Sequence, residues 1–263
     1  MEKTFTISEI ARLLGLGSDA VRFYEKKGLV HPSVNPDNKY RIYGMQNILE
    51  LLDVIYYRHL DLSVADIQTI TQNSSKEVMQ ELIRHKKEET ENRIRYEQAL
   101  LKKLSYVSDL FDNVAANRNI CSLRMFPESV VLFESQETSD FFTQQIQHFS
   151  TDQFVLCSLF KQFHVQEELN EVKSFITLEK QIMKELKMDV HPDSVIYPAQ
   201  ECVFSLIKME EYAIRLADAA PLLAYANEHG YQSEPILYVR EIPLTLYSDE
   251  ENYYAELYIP ISK

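Results

Sequence analysis

Apolar residues at the start of the chain recur at helical spacing in two short runs that are separated by glycines. Thr6 and Glu9 have the spacing of a capping box, which predicts that a first helix begins at Ile7. Ser18 can cap a second helix, and Gly28 is placed to end it in the left-handed conformation. This is helix-turn-helix spacing. The predicted helices run from Ile7 to Leu14, with Ile10, Leu13 and Leu14 on one face, and from Ser18 to Lys27.

A short stretch after the second helix alternates apolar or aromatic residues with cationic ones. It follows the turn formers Pro36 and Asp37, and the alternation predicts a β-hairpin, or wing. On the second helix Arg22 and Lys26 are one turn apart and can face the same groove of a DNA duplex. Cations on the wing could then reach neighbouring phosphates. The candidate DNA-contacting residues are Ser18, Arg22, Tyr24, Lys26, Lys39, Tyr40, Arg41 and Tyr43.

The middle of the chain has the periodicity of helices, ending in a long one. Ser63 can cap a short helix through Ile70, and no Gly or Pro occurs from residue 73 until Pro127. A 4-3-4-3 repeat in this stretch predicts a coiled-coil seam. Such a helix either packs inside its own domain or pairs with a second copy. The seam consists of Leu100, Leu104, Val107, Phe111 and Val114; a preceding helix, from Gly44 to Leu60, has Ile48, Leu51, Leu52, Ile55 and Tyr56 at helical spacing.

Beyond residue 122 the pattern predicts two successive sets of strands and helices in similar order. This repetition favours a pseudo-symmetric α+β domain with a cleft between its halves. The predicted strands are 130–134, 153–160 and 172–178, then 195–197, 201–209, 236–242 and 253–259; the predicted helices are 138–149, one ending at Lys187, and 211–229.

Charge is distributed unevenly along the 263 residues. The first 45 residues hold 7 basic and 5 acidic side chains, whereas residues 122–263 hold 10 and 23. The net charge of -13 therefore belongs to the C-terminal part, where it would repel DNA and suit either solubility or a cationic ligand. Neither a signal peptide nor a long apolar run is present, so we expect a cytoplasmic protein that does not span a membrane.

The residues that could carry metal or catalytic chemistry are scattered. Cys121, Cys157 and Cys202 are far apart in sequence and form no Cys-x-x-Cys motif, so a zinc site or a disulfide framework has no support. No Gly-x-Ser-x-Gly motif or phosphate-binding glycine loop occurs. We expect no cofactor and no enzymatic activity.

Four segments in register resemble the winged-helix domain of MerR-family transcription regulators. They are Ile7-Ser8-Glu9-Ile10-Ala11, Val21-Arg22-Phe23-Tyr24-Glu25, Lys27-Gly28-Leu29-Val30 and Tyr40-Arg41-Ile42-Tyr43. The family usually has glycine, then an aromatic residue and serine, where this chain has Asp61-Leu62-Ser63. The resemblance implies an antiparallel coiled-coil homodimer. It also implies distortion of an over-long promoter spacer, so that RNA polymerase is affected indirectly.

Three C-terminal segments resemble the GyrI-like effector-binding domain of multidrug-sensing MerR regulators. They are 197–202, 227–231 and 255–261. The resemblance implies an aromatic cleft with a buried carboxylate that binds lipophilic, often cationic, compounds. This chain departs from the pattern because Tyr238 stands where drug-binding members have a glutamate, so neutral or anionic aromatic ligands and nucleotides stay open. The candidate effector-contacting residues are Phe160, Tyr197, Tyr238, Glu241, Tyr254 and Glu256.

Together these features predict a multidomain α+β protein with four parts. They are a winged helix-turn-helix domain at 1–75, a dimerisation helix at 76–117, a hinge at 118–122 and an effector-binding domain at 123–263. The predicted function is a homodimeric regulator that binds a pseudo-palindromic promoter in double-stranded DNA and responds to a small-molecule effector. Two alternatives remain: a C-terminal domain that binds a protein partner, and an enzyme that hydrolyses a ligand.

Overall fold

The computed structural model describes residues 3–72, 75–116, 120–136, 151–209, 213–242 and 253–262. The chain divides into two compact units, Met1–Arg93 and Ile94–Lys263. The division falls within a long helix, and the predicted boundaries at residues 75 and 122 remain predictions. The predicted hinge at 118–122 lies partly outside the described residues.

The first unit consists of four short helices, a two-stranded hairpin and the first part of the long helix, as the pattern predicts. Thr6 caps the first helix through the complete capping box with Glu9, and Gly28, with φ +69°, follows the end of the second. The predicted cap at Ser18 is wrong by one residue, since Gly17 is the N-cap and Ser18 is the first helical residue. The elements are α1 Ile7–Leu13, α2 Ser18–Lys26, β1 Ser33–Val34, β2 Arg41–Ile42, α3 Met45–His59 and α4 Val64–Gln72.

The core of the first unit lies where the helices cross. Ile10, Val21 and Leu51 are fully buried in it. The predicted apolar faces are right at Ile10, Ile48 and Leu51, which are buried, and wrong at Leu13 and Tyr56, which are more than half exposed. One side of α3 has an exposed apolar row: Met45, Leu49, Leu52 and Tyr56, with Leu60 just beyond its end.

A single long helix, α5, runs from Lys76 to Ala116. Its C-terminal half has two faces. From Ile94 onward α5 belongs to the second unit, and one face packs on the remainder of that unit through residues spaced three and four apart: Tyr96, Ala99, Lys103, Tyr106 and Leu110. The other face leaves Ile94, Leu101 and Leu104 exposed. Of the predicted seam, Leu104 lies on the exposed face, Leu100 and Val107 are half-buried at its margins, and the side chains of Phe111 and Val114 lie outside what the structure describes.

The second unit is built on one antiparallel sheet, with helices α6 Thr151–Leu156, α7 Lys180–Glu185 and α8 Leu216–Glu228. Among the described residues the strands lie in the order β3-β8-β11-β10-β5-β6-β4-β7, and β9 pairs with the end of β11. The strands are β3 Ser122–Phe126, β4 Ser129–Ser135, β5 Ser158–Val165, β6 Leu169–Glu179, β7 Ile196–Tyr197, β8 Gln200–Met209, β9 Gln232–Ser233, β10 Ile236–Glu241 and β11 Tyr253–Ser262.

Two secondary-structure predictions in this unit are corrected. The apolar run at 153–160 was expected as one strand, but it forms the end of α6 and the start of β5. Short apolar runs fit both a buried helix and a strand, so periodicity alone could not separate them. The strand β3 was missed, because it begins at the last residue of the predicted hinge. The predicted helix at 138–149 lies outside the described residues.

The strand order has the internal pseudo-symmetry that the repeated pattern predicts. From the centre outward, one half reads β5-β6-β4 and the other reads β10-β11-β8, so corresponding strands occupy corresponding places. Each half has an edge strand that does not come from its own segment. β3 precedes the first half in sequence but pairs with β8 of the second half, and β7 precedes the second half but pairs with β4 of the first.

The sheet is strongly curled. β3 lies at one end of the strand order and β4 next to the other end, yet only Pro127 and Glu128 separate them. Three residue steps span at most about 11 Å, so the two ends of the sheet must approach each other. Inside the curl lies an aromatic cluster, and outside it α8 packs on one half and α6 and α7 on the other.

Candidate nucleic-acid interface and effector cleft

The helix α2 presents its cations to solvent. Val21 is fully buried against the rest of the first unit, which leaves the opposite side of the helix, including Arg22 and Lys26, exposed. The Arg22 guanidinium donates a 2.8 Å hydrogen bond to Asp19 on the previous turn. Both partners are largely exposed, so the pair is weak and Arg22 can exchange it for a phosphate or a base edge.

The hairpin is short and its loop is held by polar contacts. Ser33 pairs with Ile42 and Val34 with Arg41. Within the loop the Asn35 amide donates to the Tyr40 carbonyl at 2.8 Å, and Lys39 adopts a left-handed φ of +61°. Lys39 and Tyr40 are both exposed where the loop returns to β2.

A groove of about 630 Å³ separates α2 from the hairpin. Arg41 crosses this groove and donates a 2.6 Å hydrogen bond from Nε to Glu25, and that carboxylate raises the pKa of Arg41. Glu25 thus holds the wing against α2. The lining residues are Thr6, Ile7, Arg22, Glu25, Lys26, Lys39, Tyr40 and Arg41.

The structure brings five of the eight predicted DNA-contacting residues to this groove, whereas Ser18, Tyr24 and Tyr43 do not line it. Tyr43 has no exposed surface and belongs to the core, because its backbone pairs with Phe5 and its ring faces inward. Tyr24 is half-buried against the same core. Phe23 was not among the predicted residues, yet it is 44% exposed on α2, and the ammonium of Lys27 lies 5.7 Å from its ring centre.

The turn between α3 and α4 is tied to the beginning of α5. Asp61 occupies it with a left-handed φ of +62°, which accounts for the glycine that the resemblance leads one to expect there. Its carboxylate lies 2.8 Å from Lys86 and 3.0 Å from Arg93. The departure from the family pattern therefore adds an ion-pair network as well as altering a helix end.

The interior of the second unit is a cluster of stacked and edge-on rings. Phe175 stacks on Tyr197 with ring centres 4.7 Å apart and on Phe160 at 5.6 Å. Phe126, from the short strand β3, contacts Phe160 at 5.1 Å and Tyr238 at 4.9 Å. The curl brings together rings from distant strands, and they pack against one another.

A buried ion pair lies beside this cluster. Glu256 has no exposed surface, and the Arg240 Nε donates a 2.7 Å hydrogen bond to its Oε2. The hydroxyl of Tyr258 donates to the same oxygen at 3.0 Å. Arg124 lies 3.5 Å from the other carboxylate oxygen. The carboxylate is thus neutralised by cations of this chain.

Arg240 makes further contacts besides its ion pair with Glu256. It donates to Ser158 Oγ at 3.3 Å, and its guanidinium carbon lies 4.3 Å from the centre of the Tyr106 ring. Burial is the largest single influence on Arg240 and lowers its pKa, but the Glu256 carboxylate together with Tyr258 and Tyr106 outweighs burial, so the pKa of Arg240 is raised. Burial also disfavours the charged form of Tyr258, which raises the pKa of that hydroxyl.

Two adjoining clefts lie between the end of α5 and the open side of the sheet. Their volumes are about 450 and 350 Å³, within the range of small-molecule sites. Tyr106 and Arg124 line both. The larger is also lined by Asp109, Leu110, Ile120, Ser122, Phe204, Leu206 and Glu256, and the smaller by Lys102, Lys103, Met125, Pro127, Leu156, Ser158, Glu179, Gln181, Ile182, Arg240 and Tyr258.

Only part of the predicted effector set reaches these clefts. Glu256 lines the larger one, whereas Phe160, Tyr238 and Tyr254 are buried in the aromatic cluster and line neither. These three side chains are buried in the core of the unit, so the two clefts do not support their predicted contact with an effector. Tyr197 stacks on the same cluster. The backbone of Glu241 pairs with Ala255, and its side chain lies outside the described residues. Four cleft-lining residues were not predicted: Lys103, Tyr106, Arg124 and Arg240. The first two lie on the long helix, and the other two belong to no motif.

The His, Cys, Asp and Glu side chains in the described part of the chain are dispersed. Within it, no cluster of His, Cys, Asp and Glu has the arrangement of a metal site. Cys121 is half-buried, and Cys157 and Cys202 are buried. None of the described helices combines the length and apolar character needed to traverse a lipid bilayer.

Comparison with known proteins identifies the first unit. Residues 5–74 match the family described as MerR HTH family regulatory protein. The transcriptional regulator CueR of Escherichia coli O6:H1 is 51% identical over 45 residues, which are 17% of this chain and 33% of the relative. The regulator SkgA of Caulobacter vibrioides is 34% identical over 64 residues, 24% of this chain and 25% of the relative. The matched segments thus span a third or less of these curated relatives.

Among solved structures, the chain is similar to EcmrR in a complex with DNA. The identity is 19% and the TM-score 0.40, over 98% of this chain and all of the other.

Proposed function

We propose that this chain, whose residues 5–74 form a helix-turn-helix domain of the MerR family, is a dimeric DNA-binding transcription regulator that responds to a small molecule. The observation that carries the proposal is the cationic groove between α2 and the wing. It combines exposed side chains on a helix with exposed side chains on a hairpin, and a duplex can be contacted by both at once.

In the proposed complex α2 enters the major groove and the wing follows the sugar-phosphate backbone. Arg22 and Lys26 reach base edges or phosphates from the helix. Lys39 and Tyr40 contact phosphates from the hairpin. Because Glu25 holds Arg41, the wing is fixed before DNA binds, which reduces the entropy lost on association.

The DNA-binding part is tested by fluorescence polarisation of the full chain with a promoter duplex selected from random sequence. Lys39→Ala is expected to weaken binding evenly across sequences and to reduce the salt slope by about one, as for loss of one phosphate contact. Arg22→Ala is expected to weaken binding more to the selected duplex than to others. Lys87→Ala, on α5, is the matched control. Unchanged affinity in both groove variants at physiological salt would refute the proposed interface.

The proposed homodimer forms through α5. Ile94, Leu101 and Leu104 are exposed on one face of the helix at spacings of seven and three residues, as in a coiled-coil seam. Two copies related by a two-fold axis would present two recognition helices to the two halves of a pseudo-palindrome. The exposed apolar row on α3 offers further surface for a second copy to cover.

The proposed sensor is the cleft under the end of α5. Tyr106, Lys103 and Leu110 come from the same helix that begins in the first unit, so a ligand bound there touches the helix directly. A ligand can favour one arrangement of the dimer only to the extent that it binds that arrangement more tightly. We propose that this preference distorts the promoter and affects RNA polymerase indirectly. A cleft of ligand size supports small-molecule binding over a protein partner.

A further inference from the structure

The charges of the C-terminal clefts suggest which ligands they accept, and this inference rests on the sensor function proposed above. A buried carboxylate beside aromatic rings would favour a cationic ligand if it were free. Glu256 is not free, since Arg240 contacts it and stacks on Tyr106. A guanidinium of the chain itself thus occupies the place where an exogenous cation would bind.

Positive charge remains after this pair is formed. Arg124 is 3.5 Å from Glu256, whose single charge is already matched by Arg240. Lys103 donates to the Cys157 carbonyl at 3.1 Å and forms no ion pair among the described residues. Its pKa is lowered, by burial first and by Arg240 next, so the cleft disfavours a further cation.

The acidic residues around the clefts do not reverse this balance. Glu256 is neutralised, and Lys102 is an additional cation paired with Glu185 at 2.6 Å. Glu179 lines the smaller cleft half-buried, and its attraction for the charge of Lys103 is weaker than the repulsion from Arg240. Asp109 is exposed beside the larger cleft, where water screens it.

We propose that the clefts bind a planar aromatic anion, whose acidic group pairs with Lys103 and Arg124 and whose ring lies against Tyr106. A charge-assisted hydrogen bond to Lys103 replaces its weaker bond to a neutral carbonyl. An aromatic cation at the same position would be repelled by Arg240. It could reach the carboxylate of Glu256 only by breaking the buried ion pair.

Three ligands of nearly equal shape test this proposal: 2-naphthoate, 2-naphthamide and 2-naphthamidine, titrated by calorimetry into the full chain at pH 7. The naphthoate is expected to bind at least about tenfold more tightly than the amide, as one charge-assisted contact implies. The amidine is expected to bind most weakly.

Variants assign the effect to residues. Lys103→Met keeps the length of the side chain and is expected to remove most of the preference for naphthoate, whereas Lys184→Met, exposed on α7, leaves it unchanged. Glu256→Gln adds net positive charge and is expected to strengthen naphthoate binding. A cation site would respond in the opposite way, losing amidine binding. Circular dichroism verifies that each variant is folded.

Each outcome is decisive. Tighter binding of the amidine than of the naphthoate would overturn the inference and leave the sensor function standing. Absence of binding by all three ligands at millimolar concentration would overturn both the inference and the proposed sensor function. The proposed DNA binding is tested separately, by fluorescence polarisation, and does not depend on this result. Equal affinity for naphthoate in wild type and Lys103→Met would also overturn the assignment.

Discussion

The carboxylate of Asp61 lies 2.8 Å from the ammonium of Lys86, so the turn after α3 is fastened to α5 within the first unit. Arg93 approaches the same carboxylate to 3.0 Å. Hydrogen bonds from Lys86 and Arg93 lower the pKa of Asp61 to about 2, from an ordinary value of 3.8. The stabilisation that this network provides is therefore complete above the ordinary pKa and is lost as the pH falls toward 2.

The first prediction concerns that pH dependence. Asp61→Asn keeps a residue that tolerates the left-handed conformation but removes the charge. We expect a lower urea midpoint than wild type at pH 7, and a difference that shrinks as the pH falls from 4 to 2.5. Asp53→Asn, an exposed substitution on α3, is the control. A difference that stays constant over this range would show that the ion pairs do not stabilise the fold.

A second prediction separates two tyrosines that the sequence pattern treats alike. Tyr43 is fully buried, so Tyr43→Ala should destabilise the fold by about 3–5 kcal/mol, the range for truncating a large aromatic core residue. Tyr40 is 73% exposed, so Tyr40→Ala should change stability by less than about 0.5 kcal/mol.

DNA binding should show the reverse order for these two positions. Tyr40→Ala should weaken it, and Tyr43→Phe should leave it unchanged. Urea unfolding and polarisation measure the two effects separately. Weaker DNA binding by a well-folded Tyr43→Phe would contradict the placement of this ring in the core.

The third prediction concerns the buried pair of Arg240 and Glu256. Arg240→Met leaves the carboxylate without its closest cation, and the loss is expected to be about 3–5 kcal/mol, as for other buried pairs broken from one side. The double variant Arg240→Met with Glu256→Leu removes both charges and should regain most of that stability. Chemical denaturation of four proteins, namely wild type, Arg240→Met, Glu256→Leu and the double variant, gives the coupling energy. Additive losses would show that the two side chains do not stabilise each other.

A fourth prediction concerns the exposed face of α5. Leu104→Glu should shift the chain from dimer to monomer in sedimentation equilibrium, because it places a charge in the proposed seam. Gln98→Glu adds the same charge at an exposed polar position of the same helix and should leave the dimer intact. A Leu104→Glu protein that remains dimeric would place the interface elsewhere.

The sequence predicted the local features of this fold well. Capping at Thr6, the left-handed Gly28 and the alternation before Ile42 depend on neighbouring residues, and the structure confirms each. The errors concern apolar helical residues that could face either the core or the solvent. Leu13 and Tyr56 are examples, because the burial of a helix face is decided by packing partners that periodicity does not identify.

The cleft was harder to predict than the groove. The groove residues are close in sequence, whereas Glu256, Arg240 and Arg124 lie on three strands that are far apart in sequence. Glu256 and Arg240 meet because β11 pairs with β10 in that register, and Arg124 comes from β3, two strands away on the other side of β11. Lys103 and Tyr106 lie in a heptad-like stretch whose pattern indicated helix pairing. The spacing of apolar residues shows which side chains share a face of a helix. It does not show which residues from other segments pack against that face.

The exchange of edge strands has a consequence for how the second unit can be divided. β3 covers the edge of β8, and β7 covers the edge of β4, so neither half of the sheet completes its own border. A shortened protein that begins at Ser129 would retain every cleft-lining residue of the later strands, yet it would expose the backbone of β8 as an open template for other chains. The two halves, alike in strand order, are therefore dependent on each other, and a fragment that keeps this sheet intact has to begin upstream of Ser122.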